Sequence, residues 1–225
     1  MEYTEVMTAL KELSNPEAVK GMAGFGINPE FAYGVSIPAL RNLARKCRKN
    51  GLLAENLWDS GIHEARILAT MIADWQSLSE EQMESWAGDF NSWDLCDQCC
   101  NNLFRKSRFA HQKAVQWTER DEEFVKRAGF VLMACLAVHD KQAPDSTFAE
   151  YLGIIEREAH DTRNFVKKAV NWALRQIGKR HAGLHALAVD AAQKIGRSES
   201  KAARWVASDA LRELTSAAVR ARLGV

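Results

Sequence analysis

An all-α chain is the fold class this sequence predicts, on three grounds. Apolar residues recur at helical spacing nearly throughout, and no alternating run of useful length suggests a strand. Asn, Ser, Pro and Gly mark helix ends at short intervals. Four segments also share a basic start followed by a packed run of small and apolar residues, beginning at Arg66, Arg127, Lys168 and Arg204. With the Trp93 segment between the first two, their separations lie around the ~40 residues of two-helix HEAT or armadillo units. Such units cannot bury their apolar faces alone, so they stack. The expectation is one HEAT-like, armadillo-type helical-repeat solenoid over residues 1–225, with equivalent helix starts along a concave face. An irregular helical bundle is the alternative.

The elements follow in chain order. Asn15-Pro16-Glu17 and Asn28-Pro29-Glu30 each set a capping side chain before a first-turn proline, predicting two helix starts. Ser36 is placed to cap a helix through Leu40, Leu43 and Ala44. Asn91 or Ser92 is placed to cap the helix carrying Trp93 and Asp97, and Gly196-Arg197-Ser198 separates the final helix from its predecessor. Trp58, Trp75, Trp86 and Trp117 are assigned to packing, and Met22 and Phe25 to packing a turn. Trp205, directly after Arg204, fits either packing or binding.

Composition narrows the classes. Apolar residues make up 47% of the 225 and prolines number four, which disfavours long disordered segments. The net charge of +1 hides strong segregation. Arg163, Lys167, Lys168, Arg175, Lys179 and Arg180 occur with no acidic residue among them. Arg41, Arg45, Lys46, Arg48 and Lys49 form a second basic cluster, and Arg105, Lys106, Arg108 and Lys113 a third. Residues 67–104 carry seven acidic residues and no Lys or Arg. Segregation of this kind is the footprint of an anion-binding face, although each cluster alone also fits a solvated helix face. Cys96, Cys99 and Cys100 fit one packed helix face better than a zinc site, since no second pair matches them. No apolar run approaches the ~20 residues of a membrane span, and the acidic N-terminal stretch does not suit a signal peptide. A cytoplasmic protein is expected.

Trp93 and Asp97 stand four residues apart and share a helix face. An aromatic beside a carboxylate suits a cation, including one that develops during a reaction. Trp172 lies among Lys167, Lys168 and Arg175, a setting for cation–π packing or for a sugar-and-base platform. A base alkylated at a ring nitrogen is already cationic, and breaking its bond to deoxyribose creates an oxocarbenium-like sugar. A carboxylate would stabilise that sugar and orient water, aromatic faces would flank it, and an arginine would hold the neighbouring phosphate. Asp97, Trp93 with Trp172, and Arg127 could fill these roles in that order.

The chain resembles the AlkD-like DNA alkylation repair proteins, bacterial alkylpurine DNA glycosylases built from HEAT-like repeats. The resemblance rests on Tyr33-Gly-Val-Ser-Ile-Pro-Ala-Leu-Arg, Ser92-Trp93-Asp94-Leu-Cys-Asp97, Lys126-Arg127-Ala-Gly-Phe and Phe165-Val-Lys-Lys-Ala-Val-Asn-Trp172-Ala-Leu-Arg. It implies a monofunctional glycosylase that removes cationic N3- or N7-alkylated purines from duplex DNA without flipping the base. It also implies that Asp97 is the catalytic aspartate, that Trp93 and Trp172 contact the sugar, and that Arg127 matches the family's arginine. Residues from His139 to Ser146 read as a loop inserted relative to the family. Expected phosphate contacts are Lys126, Arg163, Lys167, Lys168, Arg175, Lys179, Arg180, Arg204, Arg41 and Arg45. The expected partner is alkylated duplex DNA bound by a monomer, with no metal, cofactor or membrane.

Two other readings compete. One is a non-catalytic binder of unusual DNA structure using the same groove, and the other a protein-interaction scaffold. The six histidines show no metal-ligand spacing and no carboxylate paired in sequence, and His181 with His185 reads as solvated surface. Residues 21–26 contain glycines but lack the strand and lysine of a phosphate loop.

Overall fold

A computed structural model describes residues 1–225 as fourteen α-helices and three short 3-10 turns, with no strand. Internal contacts gather the chain into two compact units, residues 1–107 and 108–225.

The first unit contains α1 (Tyr3–Glu12), α2 (Pro16–Met22), α3 (Ile37–Cys47), α4 (Gly51–Asp59), α5 (His63–Ile72), α6 (Glu80–Gly88) and α7 (Trp93–Asn102). Helices α3, α5 and α7 pack in succession, and α4 lies against α5. Asn15 caps α2 and Ser36 caps α3 as expected, each accepting an N–H three residues on. Asn28 does not start a helix. Its Oδ1 accepts the Glu30 N–H at 3.0 Å, closing a local turn that competes with helix capping.

The stretch between α2 and α3 is held by α5 instead. Glu64 is 2% exposed, and its carboxylate accepts N–H groups from Tyr33 (2.8 Å), Gly34 (2.6 Å) and Val35 (3.3 Å). The His63 N–H donates to the Phe31 carbonyl at 2.8 Å, and the Asn15 N–H to that of Tyr33 at 2.7 Å. Gly34 has φ +74°, and a Cβ there would meet the Asn15 carbonyl oxygen at 2.3 Å. Only glycine tolerates both conditions.

Three of the tryptophans assigned to packing are buried: Trp58, Trp86 and Trp117. Trp58 stacks on Trp86 with centroids 4.1 Å apart, and its indole N–H donates to Asp89. Trp75 differs from expectation: it sits exposed in the turn after α5. Phe25 likewise does not pack; it is 72% exposed beside Gly26, whose φ of 73° reverses the chain.

The second unit contains α8 (Ala110–Gln116), α9 (Glu123–His139), α10 (Asp145–Glu158), α11 (Asn164–Gly178), α12 (Ala182–Gly196), α13 (Lys201–Leu214) and α14 (Ala217–Leu223). It is a two-layered stack: α9, α11 and α13 pack in one row, with α8 against α9, and α10 and α12 together in the other. Helix α9 is buried on nearly every side, which explains its run of apolar residues from Ala128 to Ala137. Asn171 on α11 is buried, and its Nδ2 donates to the Val206 carbonyl of α13 at 3.0 Å. The loop between α9 and α10 covers residues 140–144, inside the expected insertion. One further helix, α14, follows the expected last one, with Ser216 as its cap.

The four recurrent segments fall on α5, α9, α11 and α13, with α7 between the first two. The repeat read from the sequence is therefore the helical repeat of the fold.

Replacing Glu64 by Ala should destabilise the protein by about 2–4 kcal/mol, because three N–H groups lose a charged acceptor. Urea unfolding of the two proteins measures this. A loss below about 1 kcal/mol would mean that water replaces the carboxylate without penalty.

Candidate nucleic-acid interface

Helix α7 sorts its residues by face. Leu95, Cys96, Cys99 and Cys100 are fully buried, while Trp93, Asp97 and Asn101 share a half-buried side. The cysteines pack as expected, and burial with neighbouring Cys96 pushes the Cys99 thiol well up, keeping it protonated.

The start of α7 is anchored from two directions. The Trp93 indole N–H donates to the Phe25 carbonyl at 2.8 Å. Asp94 accepts a hydrogen bond from His63 Nε2 at 2.8 Å, from a histidine 6% exposed. Burial alone would raise the Asp94 pKa, but the hydrogen bond and charge of His63 outweigh it and lower the carboxyl below its ordinary value. Ser92 occupies the N-cap position, yet its side chain makes no capping bond and is fully buried. Anchoring by His63 and Phe25 takes the place of the expected cap.

In the second unit, Arg127 lies on α9 and is 5% exposed, with Nη1 donating to the Phe165 carbonyl at the start of α11 at 2.6 Å. Trp172 lies half-buried on α11. The structure thus carries Trp93 and Asp97 together in the first unit, and Arg127 and Trp172 on neighbouring helices of the second. Arg66 on α5 is engaged locally: its guanidinium lies over Trp58 at 5.3 Å and donates to the Trp58 carbonyl.

The basic residues separate into two classes. Lys126 pairs with Glu158 (2.8 Å) and Asp161 (3.6 Å), and Arg163 pairs with Asp161 at 2.6 Å. Arg175 and Lys179 both pair with Glu213. Burial opposes ionisation of Glu158, Asp161 and Glu213, but these cations outweigh it and hold all three carboxyls low. Arg180 donates to the Ala137 and Ala143 carbonyls and lies over Phe148. Three of the six cations in the segment without acidic residues are therefore paired with carboxylates outside it. Lys167, Lys168 and Arg204 form no ion pair. Lys167 instead places Nζ 4.8 Å from the Trp205 ring centroid, and Arg204 donates to the Ser198 and Glu199 carbonyls. Arg41 and Arg45 are exposed on α3.

Histidines carry more than their sequence spacing indicated. His63 pairs with Asp94, His111 bridges Asp140 (2.9 Å) and Tyr151 (2.8 Å), and His181 pairs with Asp145. His185 is buried and hydrogen-bonded to the Gly178 carbonyl, so it is not solvated surface. The partners of His63, His111 and His181 lie about one repeat away in sequence, as do Glu64 from Gly34 and Lys126 from Glu158. Searching for polar residues one repeat apart would have found them.

Residues 6–214 match the DNA alkylation repair enzyme family. The chain belongs to that family. A solved structure is similar over 100% of this chain and 97% of its own, with a TM-score of 0.81 at 24% identity. That structure is described as a new family of proteins related to the HEAT-like repeat DNA glycosylases with affinity for branched DNA structures. At this identity the likeness establishes the HEAT-like fold. No curated protein sequence matches the chain.

The His63–Asp94 pair has a pH signature. Because the folded carboxyl titrates below its unfolded value, near 3.9, the pair stabilises the fold fully above that pH. That contribution is lost as pH falls through the lowered folded value. Thermal melts should show Asp94→Asn less stable than the wild type at pH 7, with the gap closing below about pH 4. A gap of constant size down to pH 2 would show that ionised Asp94 contributes nothing.

Proposed function

We propose that the protein is a DNA glycosylase that hydrolyses the bond between deoxyribose and a cationic N3- or N7-alkylated purine in duplex DNA. The observation that carries this reading is the shared face of Trp93 and Asp97 on an anchored helix, in a chain of the DNA alkylation repair enzyme family. The cationic base departs without needing a proton. As the glycosidic bond lengthens, positive charge grows on the sugar, and the Asp97 carboxylate stabilises it and orients the attacking water. The Trp93 ring favours the same cation through its π face. The family resemblance assigns Trp172 to a second sugar contact and Arg127 to the phosphate. On this reading the base stays unflipped, and sugar and backbone are the recognised parts.

A second reading is a binder of branched DNA with no excision. The interior carbonyl contact of Arg127 favours it, since that guanidinium is already engaged. So does the affinity of the similar protein for branched DNA structures.

The deciding experiment measures base release from duplex DNA bearing one N7-methylguanine. Wild-type protein should release the base. Asp97→Asn should lower the rate at least about 100-fold while leaving DNA affinity within a few-fold. Undiminished release by the variant would overturn the mechanism. No release by the wild type from this substrate or from N3-methyladenine DNA would favour the second reading.

A further inference from the structure

We infer that Lys167, held over Trp205, is the principal phosphate clasp of the second unit. This rests on the reading that DNA is the ligand. Most cations around Lys167 are engaged by carboxylates: Arg175 of α11 and Lys179 just after it by Glu213, and Arg163 just before the helix by Asp161. A carboxylate partner fixes a cation but cancels its charge toward a phosphodiester. An aromatic partner fixes the cation and leaves the charge whole, because the ring contributes a quadrupole and no net charge.

Lys167 is the lysine treated in this second way, 4.8 Å from a Trp205 ring that is 39% exposed. Lysine carries several rotatable bonds, and freezing them is part of the cost of gripping a phosphate. Trp205 bears that cost in the free protein. Lys167 and Lys168 are consecutive on α11, and Arg204 immediately precedes Trp205 on α13. Lys167 is thus a cation without a carboxylate partner held against an indole, while Arg163, Arg175 and Lys179 are paired with carboxylates. The ligand this suits is a sugar–phosphate backbone. Trp205 acts through Lys167 as a positioning residue.

The test measures DNA affinity across a salt series for the wild type, Lys167→Gln, Trp205→Leu and the double variant. Lys194→Gln, which removes an exposed lysine paired with Asp190, serves as a control. Lys167→Gln should weaken binding about 5- to 10-fold at 50 mM salt and reduce the slope of log affinity against log salt by about 1. Trp205→Leu should weaken binding about 2- to 5-fold, and by nothing further once Lys167 is already Gln. Lys194→Gln should bind as the wild type does. Thermal melts of each variant separate lost binding from lost folding.

An equal loss from Trp205→Leu in both backgrounds would overturn the clasp, since the indole would then act independently of Lys167. So would wild-type affinity and slope in Lys167→Gln. A wild-type protein with no salt-dependent DNA binding would overturn the DNA reading, and the clasp with it.

Discussion

His63 and Glu64, adjacent in the first turn of α5, set the geometry of the first unit. Glu64 is a buried carboxylate, and a buried charge persists only where donors surround it. The donors are three successive backbone N–H groups, Tyr33 to Val35, so satisfying the charge fixes the chain between α2 and α3. His63 uses its backbone on the same segment and its side chain on Asp94. Phe25, earlier in that connection, supplies the carbonyl for the Trp93 indole. The Trp93 end of α7 is therefore located twice, once through Asp94 and once through the connection that Glu64 holds. On the proposed function this face would meet a reacting sugar, and such a face needs that kind of support, because small misplacements degrade catalysis steeply.

The second unit shows how the same charge inventory can be made structural or left for a ligand. Glu213 on α13 takes both Arg175 of α11 and Lys179 just after it, tying two repeats together. Lys126 and Arg163 do the same around Asp161. Each pair strengthens the stack but subtracts from the field a DNA backbone would meet. With a net charge of +1, the chain has little long-range attraction for a polyanion. Affinity then depends on a few local cations, which raises the value of any lysine anchored without neutralisation.

The helical class, the repeat and the half-buried pairing of Trp93 with Asp97 were legible because they rest on local periodicity. The charge reading was legible only in part. Arg175 and Lys179 look unopposed when their own segment is scanned, yet Glu213 lies more than 30 residues on. Asn28 carried a sound capping signature, but its side chain closed a turn while Glu64 claimed the backbone that follows. Residue type points Trp75 and Phe25 toward packing, but type alone does not say on which side of a turn a ring lies. His63 escaped notice because its carboxylate partner stands on a different helix.

On the proposed function, two aspartates three residues apart at the start of α7 divide structural and chemical work. Asp94 is bound to His63, and its lowered pKa keeps it ionised at neutral pH, so it is no proton donor. On the proposed mechanism Asp97 also works as a fixed negative charge. A site furnished this way cannot protonate a departing base, and so its substrates must leave without protonation. N3- and N7-alkylated purines meet that condition because alkylation has already placed the positive charge on the ring. Neutral damaged bases such as hypoxanthine or uracil leave at comparable rates only where the base is protonated or its departing anion is stabilised by donors. Base-release assays should therefore find hypoxanthine and uracil left in place under conditions that clear N7-methylguanine. Excision of a neutral base at a similar rate would demand a general acid or an anion-stabilising donor that neither aspartate supplies.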